Sequence, residues 1–190
     1  MTVVEPLRER LVTAGVAMLE ETGAAQLGLR AIAREAGVSH GAPRRYFPTH
    51  NALLAAIASR GYIELGTRLA AVQGESARAR VADSGLEYVG FAARRPEMFA
   101  LMFRHDLLEG AGGNLRATVT LPMFHRWRDL VGESAPGRSR TQVNELALSL
   151  WTHFHGIATV VATRSLEAVA PGADPSALVT QAVTRHLGAP

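Results

Sequence analysis

Cysteine is absent from the 190-residue chain, which excludes disulfides, thiolate metal sites and a cysteine nucleophile. Lysine is absent too, and all 20 basic side chains apart from histidine are arginine. Beside the many Ala and Gly residues this is the mark of a GC-rich coding sequence, although arginine is also the better residue for bidentate contacts to phosphate and guanine. Charge is sparse at 19% of residues, and a net +3 decides nothing by itself. There is no GxSxG, no glycine-rich phosphate loop, no HExxH and no clear pair of catalytic carboxylates, so the histidine content is the only argument for the alternative of an enzyme, and none is expected. The opening MTVVEPLRERL carries Glu and Arg where a secretory signal needs an unbroken apolar core, which makes the expected location cytoplasmic. Residues 146–163, LALSLWTHFHGIATVVAT, lack charge over 18 positions but include two His, three Thr, a Ser and a Gly. A membrane span needs about 20 mainly apolar residues, so the segment reads as a helix buried in a core and a subunit interface, with no membrane partner.

Strand signals are also nearly missing, while helical spacing recurs throughout. Leu7, Leu11, Ala14 and Met18 mark one face of a first helix over about 6–22, with Pro6 in its first turn and Gly23 past its end. Leu29, Ile32, Ala33 and Ala36 repeat the pattern over a short second helix that Gly37 stops. Ser39 is a candidate cap for a third, very short helix to about Phe47, and Thr49 for a fourth from His50 to about residue 72. Further helices are expected near 76–94, from Pro96, near 115–131, 141–168 and 175–187, with a loop at Gly110, Gly112 and Gly113. The expected class is all-α: a three-helix head over residues 1–65 continuous with a larger helical bundle over 66–190.

Residues 27–54, LGLRAIAREAGVSHGAPRRYFPTHNALL, carry the chemistry. A helix-turn-helix needs small residues where its helices touch and a residue tolerant of positive φ in the turn. Ala33 and Ala36 supply the first, Gly37 the second, and Val38 an apolar plug beneath. Between residues 28 and 60, Arg30, Arg34, Arg44, Arg45 and Arg60 face Glu35 alone, a local balance of +4 suited to neutralising phosphates.

Over about 45 residues this block resembles the TetR family of transcriptional repressors. The match lies in Leu29, Ile32-Ala33, Ala36-Gly37-Val38-Ser39, Gly41, Tyr46-Phe47 and Leu53-Leu54. The resemblance implies a reading head whose third helix enters the major groove of a double-stranded DNA operator. By position, Ser39, His40, Gly41, Ala42, Arg45 and Tyr46 would face DNA with Arg44 beside them, while His50 and Arg30 would meet phosphates. Three positions depart from the family pattern: Gly28 stands where Ser or Thr usually caps the second helix, Pro43-Arg44 replaces an aliphatic residue and Tyr, and His50 replaces Lys. A proline four residues past Ser39 removes a donor where the helical ladder begins. Phe47 is expected in the core.

Trp151-Thr152-His153-Phe154-His155-Gly156-Ile157, with Arg95-Pro96-Glu97-Met98-Phe99 before it, looks like the Trp-His-Gly type of TetR C-terminal domain. That implies a ligand-holding, dimerising body. Independently, Val143, Leu146, Ala147, Leu150, Trp151, Phe154, Ile157, Ala158 and Val161 make one apolar helix face of about five turns. Thr152, Gly156, Thr159, Val160 and Thr163 on the other side, with Val179 and Val183 from the last helix, are candidates for contact with a second copy. Phe91, Met98, Met102, Phe103, Phe124, Trp127, Trp151 and Phe154 are candidates for lining a pocket for a small apolar effector. His105, His125, His153 and His155 have no acidic partners at ligand spacing, so no metal and no cofactor is expected. Being two apart, His153 and His155 should face different sides of their helix.

Overall fold

The computed structural model describes residues 6–108, 110 and 115–188. Among them there is no strand. The helices are α1 (Leu7–Thr22), α2 (Leu29–Glu35), α3 (His50–Ala70), α4 (Ala77–Arg94), α5 (Pro96–Met102), α6 (His105–Leu108), α7 (Leu121–Ser134), α8 (Arg140–Ala162), α9 (Ser165–Val169) and α10 (Pro175–Leu187). A 3₁₀ turn spans Pro43–Arg45 and a π-helical turn spans Arg116–Thr120. Of the expected glycine loop, Gly110 has a φ of 71°, while Gly112 and Gly113 lie outside the described residues.

Most helix ends follow from local chemistry. The Thr49 hydroxyl accepts from Ala52 N–H at 3.1 Å and starts α3. Ser76 accepts from Ala79 N–H at 3.1 Å and starts α4. Ser139 and Gln142 form a reciprocal capping box at α8. Asp174 accepts from Ser176 N–H at 2.8 Å just before Pro175, the first residue of α10. Hydrogen bonds from the Ser176 hydroxyl and N–H also hold the exposed Asp174 carboxyl below the usual range.

Two compact units result. The first gathers residues up to Ile63 together with Glu97–Arg116. Its core holds Leu11, Val12, Leu19, Leu27, Ile32, Phe47, Leu53, Ile57 and Tyr62. The buried face of α1 is Leu11, Val12, Gly15 and Leu19, so Leu7, Ala14 and Met18 lie at its border rather than its centre. Gly15 explains the rotation: a Cβ there would overlap the Ile57 side chain, so only a bare backbone lets α1 approach α3 this closely. The sequence pattern puts the division at residue 65, with residues 97–116 in the body; by compactness the described residues of Glu97–Arg116 group with the N-terminal helices. Gly61 of α3 makes room for α5, since a Cβ there would lie 2.6 Å from Met98 Sδ and 2.7 Å from Met102 Sδ. Glu20 on α1 accepts from the N–H groups of Glu97 and Met98 at 3.3 and 3.2 Å, and the Tyr62 hydroxyl donates to the Met102 carbonyl.

The second unit gathers Glu64–Pro96 and the chain from Ala117 onward. In it α8 packs against α4, α7 and α10. Leu146, Ala147, Leu150, Phe154, Ile157 and Ala158 form its buried face, while Val143, Trp151 and Val161 are half-buried. The long helix expected over 141–168 is two: α8 stops at Ala162, and Arg164 takes a left-handed φ of 57° before α9. Among the described residues no helix is long and apolar enough to cross a membrane.

Candidate nucleic-acid interface and its supporting body

The turn after α2 is built by its own backbone. Val38 N–H bonds the Ala33 carbonyl at 2.9 Å and Gly37 N–H bonds that of Arg34 at 3.0 Å, the paired bonds of a Schellman motif. That motif needs a left-handed residue after the helix, and Gly37 supplies it with φ 67°. Arg10 of α1 reinforces the turn, donating to the Ala36 carbonyl at 2.6 Å.

The third helix expected over Ser39–Phe47 is not an α-helix. An α-turn capped at Ser39 would need an N–H at residue 43 to bond the Ser39 carbonyl, and Pro43 has none. Ala42 N–H takes that carbonyl at 3.0 Å instead, and the chain winds as a 3₁₀ turn over Pro43–Arg45. The residue before this turn is Ala42, and no side chain caps it, so Ser39 does not act as the expected cap. Ser39, His40, Gly41, Arg44, Arg45 and Tyr46 are nonetheless exposed, with Ala42 half-buried. Phe47 is buried, with the Arg8 guanidinium 5.4 Å from its ring centroid.

The basic patch is smaller than the sequence count. Arg60 is paired with Glu9. Among the described residues Arg30, Arg34, Arg44 and Arg45 make no ion pair, and all four are exposed. His50 serves the fold directly, because its Nε2 bonds the Leu27 carbonyl and fastens the first turn of α3 to the segment before α2. To do so Nε2 must carry the proton, which makes Nδ1 an acceptor in the neutral ring and leaves the backbone amides at the start of α3 for an anion. Arg8, Arg10 and Glu9 are the residues sequence reasoning missed. They fall on α1, well before the motif, and only the fold brings them to it.

In the second unit Trp127 stands edge-on to Phe154 at 5.8 Å, and its Nε1 donates to the Ala147 carbonyl at 2.9 Å. Phe91 and Phe154 are buried, whereas Phe124, Trp127 and Trp151 are half-buried. The other three pocket candidates, Met98, Met102 and Phe103, belong to the first unit, where Phe103 packs 4.9 Å from Phe99 and 6.1 Å from Tyr62. Trp151 stacks on His155 at 5.5 Å, and His155 Nδ1 shares a 3.0 Å hydrogen bond with the Tyr88 hydroxyl. Burial pushes the His155 imidazole below its usual range. His153 turns the other way, toward His186. Val179 and Val183, expected at a partner interface from the sequence, are 0% and 3% exposed within this one chain and fill its own core. The valines seal α10 onto α8 and α4, and the outward face of α10 is Ala177, Thr180, Gln181 and Thr184. Thr152, Gly156 and Thr159 do lie exposed on α8 and Thr163 just past its end, with Val160 half-buried.

Comparison with known proteins agrees with this anatomy. Residues 11–57 match the profile of the bacterial regulatory proteins of the tetR family, and residues 81–186 match that of the tetracyclin repressor-like C-terminal domain. A solved protein with unknown function from Rhodococcus sp. RHA1 is 32% identical, with 98% of this chain and 96% of that one covered at a TM-score of 0.81. BioQ, solved with its natural double-stranded DNA operator, is 18% identical over 98% of this chain and 100% of its own, at a TM-score of 0.67. A TetR variant from Acinetobacter baumannii AYE in complex with minocycline is 15% identical over 96% of this chain and 98% of its own, also at 0.67. The last two likenesses establish the fold alone. None of the curated proteins compared with the chain is similar to it. Two profiles that between them take in the turn motif and most of the helical body leave one assignment: the chain belongs to the TetR family of bacterial transcriptional regulators.

Proposed function

We propose that the chain is a homodimeric repressor that grips a palindromic double-stranded operator in the cytoplasm and is released by a small apolar effector. The observation that carries this is the set of arginines without an ion pair among the described residues, Arg30, Arg34, Arg44 and Arg45, exposed around a Schellman turn. Cations held free of internal carboxylates can give their full charge to phosphates. Residues 1–65 act as the reading head and 66–190 as the effector-binding and dimerising body. Ser39, His40, Gly41, Ala42, Arg44, Arg45 and Tyr46 face the groove. Arg30 meets a phosphate, as does His50 through the backbone amides beginning α3.

Support for the dimer comes from threonines that satisfy themselves. Thr152 and Thr159 on α8 and Thr163 just past its end bond back to the carbonyls of Ser149, His155 and Thr159 at 3.0, 2.7 and 2.9 Å. Thr180 on α10 does the same to Ser176 at 3.0 Å. Hydroxyls turned onto their own helix leave an outward face that asks little of water and suits a second copy. In the body, Phe91, Phe124, Trp127, Trp151 and Phe154 offer the aromatic lining an apolar effector needs. The effector acts by binding better to the conformation that does not fit the operator, and only that difference in affinity counts.

The test is a gel shift with the protein's own upstream DNA at about 150 mM salt, a strength at which nonspecific phosphate binding is weak. Sequence-specific binding by wild type that Arg45→Ala weakens by about 1–3 kcal/mol is the expected result. Weak binding indifferent to sequence and to Arg45 would refute it.

A further inference from the structure

We propose that His153 on α8 and His186 on α10 form a two-imidazole site for a divalent transition-metal ion of the Zn²⁺ or Ni²⁺ kind. His153 Nδ1 and His186 Nε2 lie 3.1 Å apart, with the rings crossed at 78° and their centroids 5.4 Å from each other. A metal–imidazole bond is about 2.0–2.1 Å long. Two such bonds from one ion span the observed separation at an angle of about 98°, between the cis angle of square-planar or octahedral ions and the tetrahedral angle.

The site is held by the fold rather than by loops. Both residues are half-buried and stand on helices that pack against each other, and Val179, Ala182 and Val183 fix α10 in place. A ligand imidazole must be neutral. No third His, Cys, Asp or Glu joins the pair among the described residues, so solvent completes the coordination. His155 takes no part, since its Nδ1 is shared with Tyr88. An ion bound here would clamp α10 to α8 without depending on the operator or the effector.

An N–H···N hydrogen bond gives the same separation, and one experiment separates the two. Untagged, chelator-stripped full-length protein is titrated calorimetrically with ZnCl₂ and NiCl₂, and its melting is followed in parallel. The expected result is one saturable equivalent per chain and a Tm raised by about 3–6 °C when free metal is tenfold above Kd. Both effects should be lost, with binding at least tenfold weaker, in His153→Gln and in His186→Gln, each checked for helix content without metal. Should one replacement unfold the chain, the other decides alone. Absence of binding, or binding that survives the replacements, overturns the proposal and leaves a hydrogen-bonded pair.

Discussion

Gly85 and Tyr62 show how single residues set the packing inside each unit. A Cβ on Gly85 would fall 2.7–2.9 Å from three ring carbons of Phe154, closer than carbon atoms pack. Gly85→Ala must therefore push α4 from α8 or turn the Phe154 ring, at a cost of about 1–3 kcal/mol, read as a lower urea midpoint with unchanged slope. Tyr62 is 2% exposed, and burial pushes its hydroxyl pKa from 10.0 up to about 12. The folded state thus holds this proton more tightly than the unfolded chain does. Its contribution is complete below pH 10 and disappears as the pH climbs to about 12. Stability measured across that window should fall for wild type, and the fall should flatten in Tyr62→Phe. An equally steep decline in the variant would place the alkaline sensitivity elsewhere. The hydroxyl's bond to the Met102 carbonyl adds a cost of about 1 kcal/mol to that replacement at neutral pH.

At the scale of elements, what is legible in the sequence is what local chemistry decides. Thr49, Pro96 and Pro175 mark helix starts, and Gly23 and Gly37 mark helix ends, because a cap or a positive φ depends only on near neighbours. Apolar spacing alone sets the face of α1 off centre, because its true centre is Gly15, which no apolar count registers. The break between α8 and α9 at Thr163–Arg164 carries no glycine or proline to announce it. Val179 and Val183 read from the sequence as partner-facing, although the inward side of α10 is fixed by tertiary contact with α8 and α4. The reading segment is the case where one residue outweighs a family pattern. Pro43→Ala restores an N–H for the Ser39 carbonyl, and an interior proline costs a helix about 3 kcal/mol. The variant should show a continuous α-helix through residues 40–46, seen as slowed amide exchange there. Unchanged exchange would mean that Pro43 is not what holds the 3₁₀ turn.

For the whole molecule the proposed function requires two reading heads on one operator, about one DNA turn apart between half-sites. A single chain ends in an outward surface of Thr152, Gly156 and Thr159 on α8, Thr163 just past its end, and Ala177, Thr180, Gln181 and Thr184 on α10. Nothing within 4 Å would meet a Cβ at Gly156, so crowding within the chain does not require glycine there. The interface can therefore be disturbed without disturbing the fold. Gly156→Arg points a cation into open space in the monomer, at the cost of well under 1 kcal/mol expected of an exposed surface change. In a symmetric dimer the same substitution would occur on both sides of the contact and bury two like charges without partners. Light scattering should therefore find wild type dimeric at micromolar concentration and Gly156→Arg monomeric, with helix content preserved and operator binding lost. A monomeric wild type would remove the dimer from the proposal. A variant that stayed dimeric would move the contact to another face and leave the self-satisfied threonines of α8 as surface residues only.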